Sequence, residues 1–270
     1  MCSGPCDRNS IFLEYLRVCL GVKQGGDDAY GHEVWDYYTR RQGQETIERE
    51  DGLIDPSETL PWGYFAPLSK WDPAERDGIA LARGRVLDVG CGPGRVALYL
   101  QRYRKLRVLG IDNSSLALKV AKARGVKETK LLAFEDIDFA PGSFDTVVMY
   151  GNNFGLFGSV ASARRLLKKL YVMTSADAVA LCSSVNPYET NNPDHLQYQR
   201  WNRVRGRMAG QVRIRARYRT YVGRWFDYLL VSPREMKEIA KGTGWQVDRV
   251  IESRNGPLYV GVLHKMARKS

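Results

Sequence analysis

Three acidic positions, each closing or following an apolar run, set the chemistry this chain can do. Asp88 lies in Val86-Leu87-Asp88-Val89, which runs straight into Gly90-Cys91-Gly92-Pro93-Gly94. Asp112 ends Val108-Leu109-Gly110-Ile111, with Asn113 beside it, and Phe134-Glu135-Asp136-Ile137 follows a third run, Lys130–Ala133. A glycine turn between strand and helix lets a ligand lie against bare backbone at Gly90 and Gly92. Gly94 lets the helix start pack tightly on the strand. The open N–H groups of that helix favour an anionic group such as a carboxylate. Asp88 beside the same turn suits a cationic group such as an α-ammonium, and a pyrophosphate would not want it there. Asp112 is placed to accept from both hydroxyls of a ribose, and Glu135-Asp136 from the exocyclic amine of an adenine. The turn reads Gly-x-Gly-x-Gly after an Asp, which is not the Gly-x-Gly-x-x-Gly of nicotinamide dinucleotide sites.

A second set of residues falls where reacting atoms would sit. The fourth apolar run, Phe144–Tyr150, leads into Gly151-Asn152-Asn153-Phe154. Gly151 lets this loop pass close to the ligand. Asn152 or Asn153 can orient a nucleophile, or can tie up loop backbone as Asn often does; Asn153 is taken as the catalytic candidate. The loop lacks the Asn/Asp-Pro-Pro-Tyr pattern of enzymes that act on planar amino groups. Of three histidines, His195 in Asn192-Pro193-Asp194-His195-Leu196 is the best general base by position and intrinsic pKa, with an exposed or helix-capping role as the alternative. His264 near the last strand reads as structural.

The elements that must hold these residues alternate. Strands are expected at Val86–Val89, Leu106–Ile111, Lys130–Ala133, Phe144–Tyr150 and Ala176–Ser183. Helices are expected after Gly94, over Ser114–Arg124 and over Val160–Val172. Beyond Ser184 the order breaks into loops at Asn186-Pro187 and Asn192-Pro193. Then Val212, Ile214, Ala216 and Tyr218 alternate with Arg213, Arg215, Arg217 and Arg219, a half-buried strand that Gly223 could turn into a second, Trp225–Val231. Ser232-Pro233-Arg234-Glu235 caps a helix towards Lys241, and strands Trp245–Ile251 and Leu258–His264 follow. Residues 30–83, rich in aromatics and prolines, with Val34, Trp35 and Tyr38 on one helical face, read as a helical cap.

Asp88-Val89-Gly90-Cys91-Gly92-Pro93-Gly94 resembles motif I of the class I S-adenosylmethionine-dependent methyltransferases. Asp112 and Glu135-Asp136 fall where that family places its ribose and adenine contacts, and the Phe144–Val148 strand is similar to its fourth. The resemblance covers residues 84–183 well and the last two strands less fully. It implies a Rossmann-like, seven-stranded, mostly parallel sheet with helices on both faces and one antiparallel strand near an edge. An N-terminal helical cap and an inserted β-hairpin lie outside it. It also implies S-adenosyl-L-methionine as cofactor, S-adenosyl-L-homocysteine as product, and no metal. The divisions expected are an N-terminal extension (1–29), the cap (30–83), a cofactor-binding core (84–185), an arginine-rich insertion or lid (186–231) and the end of the core sheet (232–270). Methyl transfer from a sulfonium needs alignment and exclusion of water, and a base only where the nucleophile must lose a proton.

Bulk properties narrow the partners. The 270 residues, 44% hydrophobic, suffice for one core with a small lobe. Five cysteines, Cys2, Cys6, Cys19, Cys91 and Cys182, fit no zinc spacing and read as reduced thiols of a cytoplasmic protein. Ile11–Leu20 carries Glu14 and Arg17, too short and too charged for a membrane span, and reads as an amphipathic helix or loose extension. Net charge is +11. Nine arginines lie between Arg200 and Arg224 with no acid among them, so the rest of the chain carries only +2. That segment can be the wet face of a hairpin with Val212, Ile214, Ala216 and Tyr218 inward, a site for an acidic partner, or an RNA track aided by Tyr218, Tyr221 and Trp225. A small-molecule acceptor under a lid is the first functional expectation. An RNA methyltransferase and a non-catalytic cofactor-binding protein are the alternatives.

Overall fold

Apolar runs and amphipathic segments alternate from Arg85 onward, and each run becomes a strand covered by the helix that follows it. The computed structural model describes residues 28–56 and 61–266. The reading of Ile11–Leu20, and Cys2, Cys6 and Cys19, fall outside them.

Strand β3 (Arg85–Val89) lies mid-sheet. Leu87 and Val89 face one core and Val86 the other, as a period of two requires. It pairs in parallel with β4 (Arg107–Asp112) on one side and β6 (Phe144–Met149) on the other. The first strand pair is bridged by helix α3 (Arg95–Arg102), and helix α4 (Ser115–Ala123) then leads to edge strand β5 (Glu128–Leu131). Beyond β6, helix α5 (Val160–Met173) leads to β7 (Thr174–Val185), parallel to β6. Helix α7 (Pro233–Ala240) precedes β11 (Trp245–Glu252) and β12 (Leu258–Lys265). The order is β11-β12-β7-β6-β3-β4-β5. Strand β12 is antiparallel to both neighbours, so the one reversed strand lies next to an edge, as the resemblance implies. The chain departs to opposite sides of β3, and in such sheets ligands bind outside the strand ends at that point.

Local signals decide the helix boundaries. Ser114 accepts from the Ala117 N–H at 3.0 Å. At α7, Ser232 Oγ accepts from Glu235 N at 3.3 Å while the Glu235 carboxylate accepts from Ser232 N at 2.8 Å, a complete capping box. Strand β5 starts and stops two residues earlier than the apolar run suggests.

A second, antiparallel sheet corrects the expectation of a helical cap and a separate hairpin. Helix α1 (Ala29–Arg40) is there, but β1 (Thr46–Arg49) and β2 (Ile54–Pro56) follow it. Strand β1 pairs with β8 (Gln211–Tyr218), which pairs with β10 (Phe226–Leu229) on its other edge and with the short β9 (Tyr221–Val222). The chain reverses at Arg219, in the left-handed region at φ 52, and not at Gly223. A strand of four residues whose partner lies far along the chain carries no local pairing signal, which is why the cap reads as helical from sequence. Between the sheets, Pro193–Val204 forms helix α6, where Asn192-Pro193 suggests a loop. Its signal was present: Asn192 accepts from Asp194 N at 2.9 Å, and Pro193 opens the first turn. Helix α1 rests on α4 through Val34, Ala117 and Val120, and His32 stacks on Tyr221 at 3.6 Å. This ties the cap to both sheets. A short helix, α2 (Pro73–Gly78), lies against β11 and β12.

Candidate active site

The ends of β3, β4 and β6 open onto a cleft of about 1560 Å³, roofed by β1, β8, β10 and α6. The glycine turn forms one side of its floor. Gly90, Gly92 and Gly94 have φ of 67, 51 and 83, values that favour glycine. A Cβ at Gly90 would lie 2.6 Å from Asn153 Nδ2, and one at Gly92 would lie 2.4 Å from Tyr30 Oη. At Gly94 it would strike Val126 Cγ2 at 2.4 Å, so this glycine serves helix packing and does not line the cleft.

Asp88 is buried on the cleft wall. Its Oδ2 has no hydrogen-bond partner among the described residues. Burial pushes its carboxyl up to about 7, against the opposing pull of Arg95 and the Ala97 N–H. Asp112 accepts from Gly92 N and Ser114 N, each at 2.8 Å, and burial outweighs these bonds to hold its carboxyl at about 6. Cys91, Asn113, Glu135 and Gly151 also line the cleft; Glu135 and Asp136 are both exposed, and Asp136 does not line it. Phe134–Asp136 is a tight 3-10 turn in which each residue is rotated about a third of a circle from the last, so adjacent acids cannot share one direction.

Asn153 is committed elsewhere than a nucleophile. Its Nδ2 donates to Val89 O and Gly90 O, both at 3.0 Å, clamping the β6 loop onto the glycine turn. Asn152, at φ 66, ties the same loop to β7: its Oδ1 accepts from Val185 N at 2.9 Å and its N–H donates to Ser183 Oγ at 2.8 Å. His195 lies in the first turn of α6, lines the cleft, and meets Thr190 Oγ1 through Nδ1 at 3.2 Å.

Several contributors carried no sequence signal. Glu75 on α2 is buried. It bonds Arg95 at 2.7 Å, accepts the Gly151 N–H at 2.6 Å and accepts the Ser183 hydroxyl at 3.0 Å, joining α2, α3, β7 and the β6 loop under the cleft. Tyr228 donates to Asn152 O at 2.6 Å. Tyr30, Glu45 and Tyr64 reach the cleft from the cap. Arg95 alone had a positional hint, following the last glycine directly.

The arginine strand presents two faces. Val212, Ile214 and Ala216 line the cleft, and Tyr218 is buried. On the other side, Arg215 and Arg217 share Glu48, Arg213 meets Asp227 and Arg219 meets Asp36, while Arg205 and Arg207 share Glu50. Among the described residues, no group of His, Cys, Asp and Glu is arranged to hold a metal ion, and no helix is long and apolar enough to cross a membrane.

The strand order, the glycine turn and the acids at neighbouring strand tips are similar to those of class I S-adenosylmethionine-dependent methyltransferases, and residues 86–176 match the methyltransferase domain family. A solved relative of similar architecture is a SAM-dependent methyltransferase from Bacteroides fragilis in complex with S-adenosyl-L-homocysteine. It is 25% identical, with a TM-score of 0.76 over 91% of this chain and 98% of that one. Among curated proteins, the methyltransferase GfsG of Streptomyces halstedii is 29% identical over 44% of this chain and 47% of its own length. The ubiquinone biosynthesis O-methyltransferase of Alkalilimnicola ehrlichii is 37% identical over 28% and 33%. The chain thus spans less than half the length of these curated relatives.

Proposed function

We propose that this protein moves a methyl group from S-adenosyl-L-methionine to a small-molecule acceptor enclosed between the two sheets. The observation that carries the donor assignment is the buried, unpartnered Asp88 Oδ2 beside a turn that any Cβ at Gly90 or Gly92 would fill. A buried carboxylate oxygen without a partner is costly, and an ammonium relieves that cost. The residues present therefore fit the donor: Asp88 for its ammonium, the Gly90–Gly92 backbone and the start of α3 for its carboxylate, Asp112 with Asn113 for its ribose, and Glu135 for its adenine. When bound, the donor supplies a methyl carbon already activated on a sulfonium.

The chain's own work is alignment and exclusion of water. Asn153 and Asn152 fix the β6 loop against the turn. We assign His195, with Tyr198 and Gln199 on the same helix, to the acceptor side, and residues 30–83 and 186–231 to the roof over the core of 84–185 and 232–270. Ile47, Val212, Ile214, Ala216 and Phe226 give that roof an apolar underside, which suits a small organic acceptor. The ion-paired outer face gives RNA recognition no support, because six of the nine arginines already face carboxylates.

A screen of candidate acceptors for consumption of the methyl donor tests the activity; binding of donor and product with no turnover on any acceptor would leave a binding protein. Asp112→Ala tests the site, and we expect product affinity to fall by about tenfold or more by calorimetry. Unchanged affinity would count against the placement of the ribose.

A further inference from the structure

The cleft region holds a second pair of acids beyond those assigned above to the donor. Glu45 lies on the cleft wall just before β1, only 4% exposed, and Glu33 of α1 is fully buried behind it. Glu33 Oε1 accepts the Glu45 backbone N–H at 2.8 Å, and Glu45 Oε1 accepts the Tyr64 hydroxyl at 3.0 Å. Glu33 Oε2 is buried with no partner among the described residues, and Glu45 keeps a second carboxylate oxygen besides the one that takes the Tyr64 hydroxyl.

Outside the site assigned to the donor, several buried or half-buried acids are met by arginines. Glu75 has Arg95, Glu48 has Arg215 and Arg217, and Glu50 has Arg205 and Arg207. Arg49, four residues beyond Glu45 and on the same cleft, is committed to Asp51 at 2.7 Å, to Asp194 O and to the Tyr198 ring. In an arginine-rich protein, two adjacent buried acids on a cleft are thus left without a cation among the described residues. Burial raises both carboxyls, and Glu45 raises Glu33 further. The rings of Tyr30 and Tyr64 meet edge to face at 5.3 Å beside them, and a ring face is itself favourable to a cation. Tyr30 Oη in turn touches the glycine turn, so this acidic corner adjoins the donor site.

We propose that the methyl acceptor is an amine, seated as its ammonium against Glu45 beside Tyr30 and Tyr64, and that Glu45 takes its proton. The inference rests on the methyltransferase reading and narrows its substrate class. In the proton step the N–H bond breaks, its electron pair stays on nitrogen, and an O–H bond forms on Glu45. The freed lone pair is what attack on a methyl carbon requires. A carboxylate acceptor would be repelled by the same corner, and an alcohol would leave it without a cation.

The test is calorimetry on the full chain loaded with S-adenosyl-L-homocysteine, titrated with benzylamine, benzyl alcohol and benzoate as matched probes. We expect benzylamine to bind at least about tenfold more tightly than the alcohol, and benzoate to give no binding. Amine binding should also release a proton near neutral pH, read from the dependence of the heat on the buffer's ionisation enthalpy. The charged and titratable groups around this corner are Glu33 and Tyr30 of α1, Tyr64, Asp112 and Cys91 of the floor, and Tyr228 of β10. Glu45→Gln should abolish the amine preference and the proton release while product affinity stays within about twofold. Should Glu45→Gln not fold, Glu33→Gln should keep the preference and move proton release to lower pH. Equal or tighter binding of the alcohol or of benzoate, or loaded protein indifferent to the amine, overturns the proposal alone. Failure to load the product at all overturns the methyltransferase reading along with it.

Discussion

The floor of the cleft is made of backbone and strand tips, its roof of side chains on a sheet assembled from distant parts of the chain. On the floor, Asp88, the glycine turn and Asp112 lie within 25 residues of one another, and their geometry follows from one strand-turn-helix unit. In the roof, Ile47 of β1 pairs with Ala216 of β8, and neither position is informative without the other. The floor is therefore suited to a ligand of fixed structure. The roof can be re-lined by changing individual side chains without disturbing the donor site, which is how one fold serves many acceptors.

The largest test of that contrast is electrostatic. Asp88 has its folded-state carboxyl raised from 3.8 to about 7, so its contribution to stability is complete below about pH 4 and lost as pH rises towards 7. Across that window the ligand-free protein should lose about 4 kcal/mol relative to Asp88→Asn, measured by urea unfolding at a series of pH values; parallel pH curves for the two proteins would sink the assignment. Next, Gly90→Val should cost about 100-fold in product affinity, because its φ of 67 strains any branched residue and its Cβ meets Asn153 and Leu156. A smaller effect is expected in the roof. His195→Ala should lower turnover on the acceptor by about tenfold and leave product affinity unchanged; a loss shared equally by both ligands would erase the distinction between floor and roof. Smallest is Glu48→Ala, which should cost about 1 kcal/mol in thermal or urea unfolding, since its arginines remain partly solvated.

What the sequence made legible follows the same division. The seven strands could be anticipated because each βα step is local, whereas their order, in which β3 pairs with β6 and β12 lies between β7 and β11, could not. Asp88, Gly90, Gly92 and Asp112 line the cleft and Asp136 does not, because a 3-10 turn separates neighbours that look equivalent in a string. Of the two roles open to Asn153, orienting a nucleophile or tying up loop backbone, its amide takes the second, donating to the glycine turn 64 and 63 residues away. Glu75 and Glu45 gave no sign at all. A lone Glu near a proline-rich stretch looks like surface, and only the packing of α2 and the β1–β8 pairing show both to be buried. Helix α6 was legible in principle, through the Asn192-Pro193-Asp194 start, and was obscured by the same residues' preference for loops.

The pairing of β1 with β8 also bears on how the molecule comes into being. Contacts that join residues 46–49 to 214–217 close a loop of more than half the chain, a slow event compared with the adjacent steps of the parallel sheet. During synthesis the nucleotide pocket can be complete while its ceiling is still unmade. For that interval the young chain holds a donor cavity open to water, and its enclosure waits on the emergence of an arginine strand some 170 residues downstream of its partner.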